Sequence, residues 1–373
     1  MVSKVSKFVS LSIYFSLILD IQAQELPNDS LVQMQWHLQK IGAFTAWESQ
    51  KDCDVKIAVL DTGIDHQHLD LKNNLSEDHY DFVNKNEIAQ DDHGHGTFVA
   101  GLIGAEANNA KGVAGICWRA QISSFKVLNR NGAGFTSDAA QAIIAAANSG
   151  HEILNASFGH SPINGQIYNQ STLQALQYAE SRGVLFVNAA GNSNLDLNRL
   201  NTRKMIVTYA RRGRRLVRQV RYVDSQPIIP SNVILVGATT KEDQRSSFSN
   251  YGNKIVPIAA PGSQMISTTL GGGYGSSQGT SFSAPLVSGS LALIWTKHPE
   301  YNFTQTKNAL YQIAENPEVK TIKHQTSRTF VGWAKRGRRW VAVYKTTTKE
   351  IEVSSKPLQG FFIGGKRLDL KGL

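Results

Sequence analysis

Three residues in this chain have types suited to nucleophilic catalysis. Asp61 closes the run VKIAVLDTG, His95 opens HGTFVAG, and Ser281 lies in GTSFSAPLVSG. A serine hydroxyl becomes a strong nucleophile when an imidazole takes its proton. A buried carboxylate must then orient that imidazole and stabilise its charge. The chain supplies these roles in the order Asp, His, Ser. A second histidine, His93, stands close before His95 in DDHGHGTFVAG. A bare His-x-His pair also fits two metal ligands, or two satisfied surface histidines in a Gly-rich turn. No further ligand cluster is visible to complete a metal site. A competing serine lies in GSSQG at 275–279, where Ser277 is the centre of a Gly-x-Ser-x-Gly elbow. That arrangement needs an acid and then a histidine after the serine. The only aspartate beyond Ser277 is Asp369, and no histidine follows it. Glu300 before His324 fits on paper, but that stretch reads as a surface helix and loop.

These residues need elements to bring them together. From residue 54 onward, strand-like and helix-like patterns alternate. VKIAVLDTG, AQISSFKVL, EILNASFG, VLFVNAAGN and NVILVGAT read as strands. GTFVAGLIGAEA, SDAAQAIIAAANSG, QSTLQALQYAESRG and TSFSAPLVSGSLALIWTKH read as helices. This alternation predicts a doubly wound α/β fold, with a mostly parallel central sheet flanked by helices on both faces. Sites in such folds form at turns beyond the carboxyl ends of the strands, which is where Asp61 falls. His95 and Ser281 each fall at the start of a helix, where partial positive charge favours a developing anion. Pro285 is expected among the early helical positions, which need no N–H partner.

Charge is concentrated in two segments. RRGRRLVRQVR at 211–221 and KRGRR at 335–339 contain ten basic residues, matching the whole net charge of +10. Each sits between β-like arms, and the two tips align. They read as basic β-hairpins inserted into one domain, at about 199–225 and 325–358. Three readings of them stay open: solvated decoration, electrostatic capture of acidic partners such as polyanionic surfaces, and self-control through Arg-Arg processing sites.

The amino terminus reads as a signal peptide. Lys4 and Lys7 precede the apolar run Phe8 to Leu19, with a cut expected after Ala23. The run is too short to span a bilayer, and no later stretch is long and apolar enough. The expected product, residues 24–373, is a secreted or periplasmic monomer with no membrane span. In such a compartment Cys53 and Cys117 are either disulfide-bonded or two free buried thiols.

The chain resembles the subtilisin-like serine proteases, the subtilases. IAVLDTGIDHQHLDL resembles their aspartate motif, HGTFVAG their histidine motif and GTSFSAP their serine motif. Phe98 stands where a second histidine is common. QWHLQKIGAFTAW, FSNYGNKIVPIAAPG and GGKRLDLKGL extend the likeness over nearly all of the expected mature chain. The resemblance implies a serine endopeptidase acting on polypeptide substrates. It assigns the catalytic role to His95, the histidine directly followed by Gly-Thr, and not to His93. It implies that Asn192 and the Ser281 backbone N–H form the oxyanion hole. It also implies that Gly132, Ala133 and Gly134 pair with an extended substrate opposite Ser157, Phe158 and Gly159. Ala189, Ala190 and Gly191 would form one wall of the specificity pocket. A structural Ca²⁺ would be held by Asp70, Asn109 and carbonyls near Ala107, Lys111 and Val113, helped by Gln33 or Gln35. The family's sheet would place the starts of the Cys53 and Cys117 strands side by side. Only about ten residues separate the expected cut from the mature-like start, so folding without an attached pro-domain is expected. The alternative function is a catalytically impaired subtilase-fold binding protein that uses its basic hairpins on acidic partners.

Overall fold

A computed structural model describes residues 26–159, 166–200, 202–212, 215–225, 227–317, 319–336, 339–356, 358–359, 361–362 and 365–373. The expected signal peptide therefore lies outside the described residues.

Seven strands form the main sheet. They are β1 (Lys56–Asp61), β2 (Tyr80–Asp81), β3 (Gln121–Lys126), β4 (Ile153–Ala156), β5 (Leu185–Ala189), β8 (Val233–Thr239) and β9 (Ile258–Pro261). The order is β2-β3-β1-β4-β5-β8-β9, and every pairing is parallel. Between β5 and β8 run β6 (Thr202–Arg212) and β7 (Arg215–Ser225), which pair only with each other. Three more strands precede the last: β10 (Met265–Thr269), β11 (Gly273–Ser277) and β12 (Val319–Arg336), with β13 (Arg339–Ser355) closing the set. The helices are α1 (Trp36–Lys40), α2 (Ala43–Ala46), α3 (His95–Gly104), α4 (Thr136–Asn148), α5 (Gln170–Ser181), α6 (Thr280–Lys297) and α7 (Phe303–Ile313).

The central strands are apolar at consecutive positions because both sheet faces are covered. In β1, Ile57 and Val59 join a core with Leu102 and Ile103 of α3 and with Leu286 and Leu291 of α6. Ala58 and Leu60 face the other way, into a core with Ile143 of α4 and Leu176 of α5. β5 divides in the same manner, with Leu185 and Val187 on one side and Phe186 on the other. The long helix α6 is buried along most of its length, which explains its lack of a polar face.

Cys53 precedes β1 and Cys117 precedes β3, its parallel neighbour, and the two form a disulfide with Cα atoms 5.6 Å apart. The two basic segments form antiparallel two-stranded sheets apart from the main one. Their innermost described pairs are Arg212 with Arg215 and Arg336 with Arg339. The tip residues 213–214 and 337–338 lie outside the described residues. The second segment begins pairing at Val319, earlier than the start at about 325 read from sequence.

One expectation about α6 is corrected. Pro285 lies past the first turn of a helix that starts at Thr280, so it is not among the positions that lack a helical partner. A residue there would donate to the carbonyl of Ser281, and proline has no N–H to give. A side chain replaces it, as described below.

Candidate active site

Asp61 ends β1 and is completely buried. His95 is the first residue of α3, and its Nδ1 lies 2.7 Å from Asp61 Oδ1. A carboxylate can only accept here, so Nδ1 carries the proton and Nε2 is left free to act as a base. Thr62 N–H also donates to Asp61 Oδ1, at 2.8 Å. The closeness of helix and strand depends on Gly96. A Cβ there would lie 2.1 Å from the carbonyl oxygen of Gly63 and 3.1 Å from Asp61 Cβ. Burial alone would lower the basicity of His95. The charge of Asp61, the hydrogen bond to it and the charge of Asp91 outweigh burial and hold His95 above the ordinary histidine range.

Ser281 enters from α6. Its neighbour Phe282 packs at a tilt, its ring centroid 5.4 Å from that of His95 and 4.5 Å from that of Phe98. Phe98 thus packs against the ring beside Ser281. The carbonyl that Pro285 leaves without a partner accepts a hydrogen bond from Ser157 Oγ at 2.7 Å. Ser157 Oγ accepts in turn from Asn155 Nδ2, and Asn155 Oδ1 accepts from Ser288 of the same helix. This buried chain pins the start of α6 to the end of β4.

Asn192 follows β5. Its Oδ1 accepts from the Thr280 N–H and from the Thr280 hydroxyl, both at 2.9 Å. That fixes the amide with Nδ2 free as a donor. Gly279 (φ +153°) sits between the donors. A Cβ on it would lie 3.3 Å from Asn192 Nδ2 and 3.7 Å from the Ser281 nitrogen. Both nitrogens lie within 3.7 Å of that one point, close enough for two N–H donors to share an oxyanion.

A cleft of about 430 Å³ includes Ser281 and Asn192 in its lining. Gly132, Ala133, Gly134, Phe158, Gly159, Ala189, Ala190 and Gly191 all line it. Ser157 does not; it is buried and serves the carbonyl of Ser281 instead. Sequence reasoning missed the far wall, which includes Ile167, Tyr168, Leu195 and Leu197. Tyr168 and Leu197 are buried, so they read as core residues, and only the cavity reveals them. Asn188 was also missed. Its Nδ2 donates to the carbonyls of Ala156 and Phe158, and its Oδ1 accepts from Tyr168 OH at 2.9 Å.

The subtilase family profile matches residues 52–334 of this chain. The chain belongs to the subtilase family. That is a family of serine proteases, and the relatives of this subtilase bear such names. It is 35% identical over 291 residues to a thermophilic serine proteinase of Bacillus sp. (strain AK1), covering 78% of this chain and 64% of that one. It is 34% identical over 269 residues to thermitase of Thermoactinomyces vulgaris, covering 72% and 85%. Among solved structures, a protease from Pseudoalteromonas arctica PAMC 21717 superposes with a TM-score of 0.65 at 28% identity, covering 78% and 93%. This subtilase thus spans under two thirds of the Bacillus relative and most of thermitase.

The loop after α3 forms a second polar cluster. Asp70 is fully buried; its Oδ1 accepts from Asn109 Nδ2 at 2.9 Å and its Oδ2 from Val113 N–H at 3.1 Å. Sequence reasoning missed Asp29, a buried carboxylate that accepts from the N–H of Asn108 at 2.7 Å. Burial first, and the nearby charge of Asp70 in addition, hold the pKa of Asp29 above the usual carboxylate value against its backbone donors. Gln35 is committed elsewhere, exchanging two amide hydrogen bonds with Ala114, and Gln33 is exposed. Asn109 turns Nδ2 to Asp70 while its Oδ1 accepts from Lys111 N–H at 2.9 Å, so its amide would have to turn over to join the two carboxylates in an oxygen set of the kind Ca²⁺ takes. Among the described residues no group of three or more His, Cys, Asp or Glu side chains could hold a metal, and none forms around His93. Among the described helices none is long and apolar enough to cross a membrane.

Proposed function

We propose that this subtilase is a secreted serine endopeptidase with Asp61, His95 and Ser281 as its triad. The observation that carries the reading is the Asp61–His95 pair, whose ring packs against Phe282, the neighbour of the cleft-lining Ser281. An extended peptide would lie between 132–134 and 157–159, held by backbone hydrogen bonds. Ser281 Oγ attacks the scissile carbonyl while His95 Nε2 takes its proton. Asp61 stabilises the imidazolium. The carbonyl oxygen, now negative, rests on Asn192 Nδ2 and the Ser281 N–H. His95 returns the proton to the leaving amine, which departs and leaves an acyl-serine. Water then repeats the sequence and frees the acid and the serine.

None of the described residues lining the cleft is charged, which favours an apolar side chain before the cut bond. The self-processing reading of the Arg-Arg tips would call for an acidic pocket, and that lining offers no support for it. The impaired-binder alternative finds no support either, since Asp61, His95, Ser281 and Asn192 all occur together.

The remaining proposals are that residues 1–23 are a signal peptide and 24–373 one peptidase domain, acting as a monomer. Asp70 and Asn109, joined by Asp29, would hold a structural Ca²⁺ that ties the amino-terminal segment to the loop after α3. The basic hairpins would attract polyanionic surfaces. The central test is hydrolysis of an unfolded protein by the purified chain beside its Ser281→Ala variant. Cleavage by the first alone is expected; equal cleavage, or none, would contradict the reading.

A further inference from the structure

Asp91 lies just before α3 and is 4% exposed. Its carboxylate is surrounded by donors. Oδ1 accepts from Thr62 Oγ1 at 2.8 Å and from the N–H groups of His93 and Gly94 at 2.9 Å. Oδ2 accepts from Thr97 N–H at 3.0 Å and Thr97 Oγ1 at 2.5 Å. The group therefore caps the helix that begins with His95. Thr62 continues the chain. Its hydroxyl accepts from Gly96 N–H at 2.9 Å, and its own N–H donates to Asp61 Oδ1. One line of hydrogen bonds thus joins two buried carboxylates, one of which holds the His95 ring. Burial would raise the pKa of Asp91, but the donors from Gly94, Thr97 and His93 outweigh it and hold the group below the usual carboxylate value.

We propose that Asp91 is a second carboxylate of the catalytic centre, a positioning residue that fixes His95 through α3 and Thr62 and stabilises its charged form. The proposal rests on the reading of Asp61, His95 and Ser281 as a triad. It gives the DDHGH segment a role that the two histidines alone do not explain.

The groups around His95 set the sign of the effect. Asp61 approaches from β1. Asp91 and the exposed His93 approach from the preceding loop, with the His93 ring 6.3 Å from that of His95. From α6 comes Phe282, which is uncharged. A buried cation, Lys126 of β3, ties into the same turn through Thr62 O and Asp92, and opposes the carboxylates. Removing the Asp91 charge therefore disfavours the imidazolium. Neutral His95 would then persist to lower pH.

The experiment starts with fluorophosphonate labelling of the wild type, because its absence defeats the triad reading and this proposal with it. With labelling in hand, kcat/KM is measured across pH for Asp91→Asn and Asp91→Ser, both of which remove the charge and keep a hydrogen-bonding side chain. The expected result is a fall of about tenfold or more in kcat/KM at pH 8. The acid limb should also move to lower pH by about half a unit. A uniform fall with an unmoved limb would reduce Asp91 to a helix cap and overturn the proposal. So would unchanged kinetics, or failure of both variants to fold.

Discussion

The hydroxyl of Ser157 donates to the carbonyl of Ser281 at 2.7 Å, filling the place of the helical bond that Pro285 cannot make. The proposed nucleophile therefore sits on a helical turn held from the sheet side. Ser157→Ala leaves that carbonyl buried and unpaired, at a cost of about 1–3 kcal/mol. Loosening the turn should lower kcat by about tenfold while KM changes less. Thermal unfolding and steady-state kinetics on one preparation check both. An unchanged kcat would mean that the Ser157 bond does not position Ser281.

Asn192 should matter to turnover more than to binding. Its amide is fixed by Thr280 and offers only Nδ2 to the cleft. Asn192→Ala should lower kcat by about 10²–10³ with KM little altered. A loss confined to KM would place Asn192 in substrate binding instead.

The pH profile has a stated sign. His95 is held above the ordinary histidine value of 6.5, against burial, by Asp61 and Asp91. It must be neutral to take the serine proton. The acid limb of kcat/KM should therefore lie above pH 6.5, and activity should rise toward alkaline pH. A limb well below 6.5 would contradict the charge arrangement around the ring.

His37 gives a separate, stability-linked prediction. It is fully buried on α1, neither ring nitrogen has a partner, and burial pushes its pKa down to about 3. The unfolded chain binds this proton near 6.5 and the folded chain does not. Stability from the neutral ring is present above 6.5 and is lost as pH falls toward 3, by about 1.4 kcal/mol per pH unit. His37→Leu should narrow the gap between urea midpoints at pH 4.5 and pH 7.5. An unchanged gap would exclude His37 as a source of acid sensitivity.

The proposed calcium site predicts that a chelator lowers the melting temperature. At a free Ca²⁺ concentration about a hundredfold above Kd, the ion contributes roughly 2.7 kcal/mol. Asp29→Asn and Asp70→Asn should each reduce that dependence. Melting unaffected by chelator in the wild type would remove calcium from the account.

Much of this was legible in the sequence because the chain repeats local rules. β1 reads as a buried strand because both of its faces meet cores, and α4 reads as a helix because its start and stop residues are marked. Asp61, His95 and Ser281 fall at element ends, and the resemblance to the subtilases singled them out there. The far wall of the cleft was not legible. Tyr168 and Leu197 look like ordinary core residues, and only the tertiary arrangement turns them toward a cavity. Asp29 was missed because its partners, Asn108 and Asn109, lie about 80 residues away. The Ser157 bond was hidden for a related reason. Its cause is a proline in a different element, and the rule for proline in helices names the missing donor but not its replacement.

The most direct measurement is covalent labelling of the purified protein with a fluorophosphonate probe, read by mass spectrometry, beside a folded Ser281→Ala control. The account predicts a single adduct on the Ser281 peptide, absent from the control. Removing a triad serine should lower turnover by about 10⁶, so the control should be silent. No adduct on folded, calcium-loaded wild type, or an adduct on Ser277, would contradict the account.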